Sequence, residues 1–318
     1  LPTTPAPYRR DFTYLRASMG DGPFTLCAQA FDHAGNRTAP VCDDLVIDTA
    51  RPVGTLTVRR GVRATSNGFT NLERVVLDGT ATAEPNGGAL RVRLAHTIAG
   101  LANATVQPFT SPAILQWDLD GSGADGPRSV VYQFEDSAGN VSAMPLTATI
   151  VLDRTSPSAA PLTTVPASPT RNATLTVSVA ATDSLSGLSP TAAITLSEDA
   201  LFLGPGTLEP QAMHQGGTVP FTLSQPDGPK LLFGRYRDAA GNDTTVTLRI
   251  DLDATPPSAS VRLEGTLGDG STSDTITSTP DVTAVITALG ATGVFTGNDT
   301  LSTCPASGYA SLPANGRL

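Results

Sequence analysis

The sequence predicts an all-β protein built of β-sandwich domains in tandem, which together form an elongated rod. The first observation is a set of motifs that recurs three times at intervals of about 100 residues, the length of one small domain. The second is a series of short apolar runs separated by turns, in a chain of 318 residues with 30 Gly and 26 Pro. The third is that no segment shows helical periodicity over a credible length. Together they favour small domains that each fold around their own core.

The recurring motifs are Asp-Gly-Pro and, eleven residues after its Asp, Asp-x-Ala-Gly-Asn. An apolar run then leads to Asp-x-Thr-x-Pro or a near match. Because order and spacing are kept, the copies mark equivalent points of successive domains. They occupy residues 21–23, 32–36 and 48–52, residues 125–127, 136–140 and 153–157, and residues 227–229, 238–242 and 253–257.

These positions divide the chain into four parts. Residues 1–52 form the C-terminal part of one repeat, 53–157 and 158–257 are complete domains, and 258–318 form the N-terminal part of another repeat. Each complete domain holds several apolar or alternating runs, which two packed antiparallel sheets accommodate. The predicted strands are 55–59, 73–82, 90–94, 114–117, 130–134 and 146–152, then 175–181, 193–196, 219–223, 231–237 and 245–252.

The two partial repeats allow two interpretations. They are the ends of a fragment from a longer array, which needs no special mechanism. Alternatively, they complete each other between molecules, and the chain is the subunit of a self-assembling extracellular filament formed by half-domain exchange.

Composition narrows the class of partner. The net charge of −9 argues against a nucleic-acid partner, which requires a basic surface, and is compatible with divalent cations outside a cell. No run of 18 apolar residues occurs, so we expect no membrane insertion in this segment. The first residues lack the basic start and apolar core of a signal peptide, so an export signal is expected outside this segment.

Two of the three cysteines are placed for a disulfide. Cys27 and Cys42 lie at nearly equal distances from the centre of the loop 32–36, so flanking strands would bring them face to face. The alternative is a pair of packed free thiols. Cys304 has no evident partner within the segment.

The order of these motifs resembles the bacterial immunoglobulin-like repeats of large surface proteins and adhesins. The resemblance covers both complete repeats and the two partial ones. It implies a non-catalytic structural or adhesive segment at the cell surface or outside the cell, acting as a stalk, spacer or adhesin. The alternative is a set of accessory or linker modules of a secreted enzyme. The implied partners are neighbouring repeats of the same or an adjacent chain, and a surface protein or glycan ligand.

The repeated turn residues have two interpretations. In the structural one, Gly supplies a left-handed backbone angle and Asp caps the N–H groups of its own turn. In the other they bind calcium, because the last hairpin loop of an immunoglobulin-like module faces the preceding module. The resemblance to giant adhesins implies such inter-module calcium. The ligands would be Asp48 with Asp136 and Asn140, and Asp153 with Asp238 and Asn242.

A further acidic loop, residues 118–126, has oxygen-bearing side chains at alternate positions like the start of a calcium loop. It lacks a closing Glu, and an enlarged turn is the other interpretation. The signs of catalysis are few. His33, His96 and His214 fall at unrelated points of the repeat, and no metalloprotease, nucleophile-elbow or phosphate-loop motif occurs. We therefore expect a protein that is not an enzyme.

Overall fold

The computed structural model describes residues 20–61, 68–82, 88–213, 217–296 and 309–311. Within these ranges the chain is all-β, as predicted, and its single helix is a five-residue 3-10 turn. The described residues contain no helix that is long and apolar enough to span a membrane. The chain divides into two compact units, residues 1–162 with 178–218 and 233–247, and residues 163–177 with 219–232 and 248–318. The domain limits inferred from the repeats stay a prediction.

The second repeat lies in the first unit and forms an immunoglobulin-like sandwich. One sheet has the order β3-β5-β8, and the other has the order β4-β10-β9-β6-β7. All pairings are antiparallel except that of β4 with β10, which is parallel. The elements are β3 (Val53–Arg59), β4 (Phe69–Thr70), β5 (Arg74–Thr82), β6 (Leu90–Ala95), the 3-10 helix η1 (Ala99–Asn103), β7 (Gln107–Phe109), β8 (Ala113–Asp118), β9 (Gly126–Glu135) and β10 (Leu146–Leu152).

The core of this sandwich comes from alternate residues of both sheets. On β3, Leu56 and Val58 are buried while Thr55 and Thr57 are exposed, as the period of two in a half-buried strand requires. Their buried partners across the core include Val130, Tyr132, Phe134 and Ile150. The Tyr132 hydroxyl accepts the N–H of Leu56 at 3.0 Å, so the polar end of this buried ring is satisfied and ties the two sheets together.

Phe134 shows how densely the core is filled. It is completely buried, and its ring stands edge-on to Phe109 and Tyr132 with centroid separations of 5.0 and 5.7 Å. A Cβ on Gly79 would overlap the Leu56 side chain and lie 2.8 Å from Phe109, so glycine is needed in this packing.

The third repeat supplies strands to both units. Its sheets have the orders β12-β13-β16 and β15-β17-β18, with a short pair β11-β14. Buried residues of the first unit include Leu162, Ile194, Leu196 and Tyr236; those of the second include Leu175, Val177, Phe221, Leu232, Ile250 and Leu252. The strands are β11 (Ser158–Ala159), β12 (Thr163–Val165), β13 (Thr174–Ser178), β14 (Ala181–Thr182), β15 (Ile194–Ser197), β16 (Thr218–Thr222), β17 (Gly228–Arg237) and β18 (Asp243–Leu252).

The first described strands form a hairpin of β1 (Gly22–Ala28) and β2 (Val41–Ile47). The predicted Cys27–Cys42 disulfide is present between directly opposed residues, with an S–S distance of 2.07 Å. Its apolar residues are largely uncovered, Leu45 being 64% exposed. Cys304 lies outside the described residues.

The strands after residue 257 belong to the second unit, and they too expose apolar side chains. Its main sheet has the order β20-β19-β21. The exposed side chains of Val261, Leu263 and Val282 line a hollow of about 850 Å³. The strands are β19 (Ser258–Thr266), β20 (Thr272–Ser273), β21 (Val282–Leu289), β22 (Gly293–Val294) and β23 (Ala310–Ser311).

We predict that reducing the Cys27–Cys42 bond loosens the β1–β2 hairpin. The hairpin buries little apolar surface, and an isolated two-stranded hairpin is marginally stable in water. A disulfide contributes about 2–4 kcal/mol, so amide hydrogen exchange in β1 and β2 should accelerate by more than about tenfold on reduction. Amides of β5 and β9 serve as the internal control, because their core contains no hairpin residue. Unchanged exchange in β1 and β2 would contradict this role of the bond.

Candidate metal centre

The three Asp-x-Ala-Gly-Asn loops share one hydrogen-bond pattern. In each, the carboxylate of the first Asp accepts both the backbone N–H and the side-chain amide of the Asn four residues later. The backbone N–H bonds measure 2.9 Å at Asp32, 2.8 Å at Asp136 and 2.8 Å at Asp238. The loop glycines have φ of +87°, +89° and +99°, a region that favours glycine. The structural role expected of this motif is therefore present in every copy.

The other two motifs are joined to each other, a pairing that the sequence analysis missed. The Asp of each Asp-Gly-Pro accepts hydrogen bonds from the threonine hydroxyl and a backbone N–H of the later Asp-x-Thr segment or its near match. In the third copy, Asp227 accepts the Thr255 N–H at 2.9 Å and its hydroxyl at 2.6 Å. We call this contact the Asp–Thr clasp. It explains why the motifs recur together, and it lowers the pKa of Asp227 and of its counterpart Asp125.

The structure brings together the residues expected at both junctions. The Asn140 amide donates to the Asp48 carbonyl at 3.1 Å as well as to the Asp136 carboxylate. The Asn242 amide donates to the Asp153 carbonyl at 2.9 Å, to the Thr155 carbonyl at 3.1 Å and to the Asp238 carboxylate at 2.7 Å. Both amide nitrogens thus act as donors that tie the hairpin loop to the junction, while the carboxylate oxygens and the amide oxygens of Asn140 and Asn242 stay candidate cation ligands.

A cluster of three carboxylates forms at the second of these junctions. One oxygen each from Asp153, Asp183 and Asp238 lie within 4.8 Å of one another. Asp153 is completely buried and Asp238 is 1% exposed. Within the described part of the chain none of the three forms an ion pair with an arginine, lysine or histidine. Buried carboxylates without a cation nearby are costly, so the cluster is a candidate site for a cation.

Asp183 is the member of this cluster that the sequence analysis did not single out. It opens the loop that follows β14, and its carboxylate accepts the Gly187 N–H at 2.7 Å. In the same loop, the Ser186 N–H donates a hydrogen bond to the Asp153 carboxylate at 3.0 Å. In an immunoglobulin-like sandwich, the loop between the second and third long strands lies at the same pole as the last hairpin loop. An acidic residue in that loop was therefore the sequence signal that could have predicted Asp183 as a ligand.

The geometry of the cluster fits calcium. Oxygens that ligate one calcium ion at about 2.3–2.6 Å lie no more than about 5 Å apart. The three carboxylates would supply hard oxygen ligands, and calcium commonly completes its shell with carbonyls and water. Burial raises the pKa of Asp238, and the charge of Asp153 adds to the shift, because both disfavour a second negative charge. A divalent cation would remove this penalty.

The first junction contains only part of such a site within the described residues. Asp136 is 2% exposed, and the Oδ2 atom of Asp48 is buried with no hydrogen-bond partner in the described chain. The loop that corresponds in sequence to the Asp183 loop falls on residues 83–87, which lie outside the described ranges.

The acidic loop 118–126 is organised around arginines. Its backbone carbonyls, which a calcium loop would turn towards the ion, accept hydrogen bonds from the Arg128 and Arg154 guanidinium groups. Arg154 also pairs with Asp125 at 2.8 Å. The guanidinium groups therefore take up the oxygens, and the structure favours the enlarged turn over the calcium loop. The bonded carbonyls belong to Asp120, Gly121, Ser122, Gly123 and Ala124.

Comparison with known proteins finds tandem β-domain structures. No family model and no curated protein matches. A tetra-tandem repeat from the extending region of a large adhesion protein is 19% identical, with 86% of this chain and 74% of that chain covered and a TM-score of 0.25. A Ca²⁺-stabilised adhesin that helps an Antarctic bacterium bind ice is 20% identical, with 93% and 72% covered and a TM-score of 0.36. The fibronectin(III)-like modules of Clostridium thermocellum CbhA are 11% identical, with 62% and 94% covered and a TM-score of 0.36.

We predict that ionisation of Asp238 destabilises the calcium-free protein. Its pKa is raised above 3.8 in the folded chain, so between the unfolded and folded values the folded state binds more protons. Stability contributed by the protonated group is therefore lost as pH rises through the folded pKa. The substitution Asp238→Asn removes this titration. Urea unfolding with chelator, from about pH 4 to about pH 7, should show wild type losing stability relative to the variant as pH rises.

The difference in unfolding stability between wild type and Asp238→Asn reports on the Asp238 carboxyl. Asp125 and Asp227, whose pKa values are lowered, contribute stability above the ordinary value that is lost on acidification. Both carboxyls are present in wild type and variant, so their effect cancels. If the stability of wild type relative to the variant stays constant or increases as pH rises, the prediction is refuted.

Proposed function

We propose that this chain is a non-catalytic structural or adhesive segment of an extracellular protein, in which calcium links neighbouring repeats. The observation that carries the proposal is the set of hydrogen bonds between the junction 153–157 and the segments 183–187 and 238–244. Asn242 reaches two junction carbonyls, Ser186 reaches the Asp153 carboxylate, and the Thr244 hydroxyl donates to the Pro157 carbonyl at 2.6 Å. In a flexible linker the polar groups of the junction would be hydrogen-bonded to water. In a segment that transmits force we expect them to be hydrogen-bonded to the neighbouring domain, as they are here.

Calcium would complete this connection. The ion would bind the junction carboxylate of Asp153 together with the loop carboxylates of Asp183 and Asp238. Because these residues come from three separate segments of the chain, a single ion would cross-link all three. Binding to the folded state alone stabilises it in proportion to the logarithm of the ion concentration above its Kd. The junction would then be stiff in a calcium-rich medium and weaker without the ion.

Several features support an exported protein. The Cys27–Cys42 disulfide is typical of an oxidising compartment outside the cytosol. The net charge of −9 and the abundance of Gly and Pro turns suit a domain array exposed to dissolved cations. The partners of such a segment are adjacent repeats of its own kind, and a surface protein or glycan to which the parent molecule adheres.

We predict that calcium raises the melting temperature of the wild-type chain and that Asp183→Asn abolishes the increase. Asp183 is partly exposed and its carboxylate lies in a loop, so the variant should fold and lose chiefly the ion. At calcium about 100 times the Kd the stabilisation is about 2.7 kcal/mol, which corresponds to several degrees in a small domain. Thermal unfolding with added calcium and with chelator measures the effect.

The matched control is Asp120→Asn. Asp120 is an aspartate of the loop 118–126 that accepts the Ser122 N–H and hydroxyl, and it is not a member of the cluster of three. This variant should respond to calcium as wild type does. An unchanged melting temperature in wild type would reject calcium at the junction, and a response lost only in Asp120→Asn would move the site to the other loop.

The adhesive role is tested separately by deleting this segment from its parent protein. We expect the deletion to reduce attachment of the bacterium to surfaces.

A further inference from the structure

One loop of the third repeat presents two leucines to solvent. This loop, residues 199–206, follows β15, and we call it the Leu tip. Leu201 is 72% exposed and Leu203 is 85% exposed, the highest value for a large apolar side chain among the described residues. Phe202, between them, turns inward and is 9% exposed. The tip thus places two uncovered aliphatic side chains on either side of a buried aromatic anchor.

The Leu tip is held in a fixed conformation. The Asp199 carboxylate accepts the backbone N–H groups of Leu201 at 3.1 Å, Leu203 at 2.9 Å and Gly204 at 2.7 Å. Phe202 has a φ of 58°, the one positive value for a residue other than glycine in the described chain. The Arg235 guanidinium lies 4.5 Å from the centroid of its ring. Such a backbone angle persists only where the surrounding contacts determine it. The same contacts therefore fix the outward orientation of Leu201 and Leu203.

The backbone of the tip is prepared for removal from water. Besides the three donors on Asp199, the Phe202 N–H bonds the Asp199 carbonyl at 3.0 Å and the Thr207 N–H bonds the Gly204 carbonyl at 3.3 Å. These donors keep their partners when water leaves, which avoids the main cost of burying backbone. From residue 200 to residue 207 the sequence carries no charged side chain.

We propose that the Leu tip docks on the surface of a lipid bilayer, with Leu201 and Leu203 immersed at the boundary between headgroups and acyl chains. Two leucines on a convex loop cover far less than the roughly 1,200 Å² that a stable protein interface buries. A fluid bilayer, in contrast, needs no matching pocket to receive an apolar projection. Glu209 is exposed next to the tip and is repelled by anionic lipid, so the chemistry favours a zwitterionic surface. The contact is superficial, because only the two leucines enter the boundary region.

The test is cosedimentation of the chain with phosphatidylcholine vesicles. Wild type should bind reversibly, and Leu201→Ser combined with Leu203→Ser should raise the lipid concentration for half-binding by about a hundredfold, because both apolar side chains are lost. The matched control is Ile114→Ser, which removes an aliphatic side chain that is 59% exposed on β8. It should leave vesicle binding unchanged. Equal melting temperatures of the three proteins establish that folding is intact.

The proposal is overturned if wild type fails to sediment at the highest lipid concentration, or if the double variant binds as wild type does. Binding that requires phosphatidylserine would also overturn it, since a basic surface would then be responsible. If the double variant instead abolishes self-association measured by light scattering, while vesicles have no effect, the tip recognises protein and the lipid assignment is wrong.

Discussion

Hydrogen bonds from backbone N–H groups to aspartate carboxylates hold the turns on which the rest of this structure depends. A sandwich of short strands needs many tight turns, and each turn leaves N–H groups that strand pairing does not satisfy. The Asp of each Asp-x-Ala-Gly-Asn loop satisfies the groups of the last hairpin, and the Asp of each Asp-Gly-Pro holds the strand ends through the Asp–Thr clasp. With these turns fixed, the alternating strands can bury one face continuously, as Leu56 and Val58 do on β3.

The same side chain serves opposite electrostatic purposes according to its burial. Asp32 of the first loop is exposed, and hydrogen bonds from Asn36 lower its pKa, so its charge stabilises the fold. Asp238 makes similar hydrogen bonds to Asn242, but burial outweighs them and raises its pKa. The repeated motif alone therefore does not decide whether an aspartate is a turn residue or a candidate ligand. The deciding factor is whether a second loop, here the one that carries Asp183, covers it and brings another carboxylate.

The sequence predicted what depends on local periodicity and chain order. The long strands of both complete repeats lie within a few residues of their predicted limits, because alternation of buried and exposed positions is encoded along each strand. The short strands β4 and β7 were missed, since two or three residues carry no period. Asp183 and the arginines of the loop 118–126 were also missed as site residues. Their partners are distant in sequence, and the hydrogen bonds of Arg154 to Gly121 and Gly123 follow only from the folded arrangement.

The loop after the strand 90–95 in the second repeat shows why the Leu tip is a feature of one repeat rather than of the plan. There, η1 turns Leu101 into the core with 5% exposure, as Phe202 is turned inward in the third repeat. Both connections thus need one buried apolar anchor. In the second repeat the anchor lies on a 3-10 turn that has no side-chain cap. In the third repeat the Asp199 carboxylate accepts three backbone N–H groups of the loop, and Phe202 has a strained, positive φ. A buried anchor does not require these hydrogen bonds, since Leu101 is buried without them. We therefore infer that the hydrogen bonds to Asp199 serve to fix the outward orientation of Leu201 and Leu203.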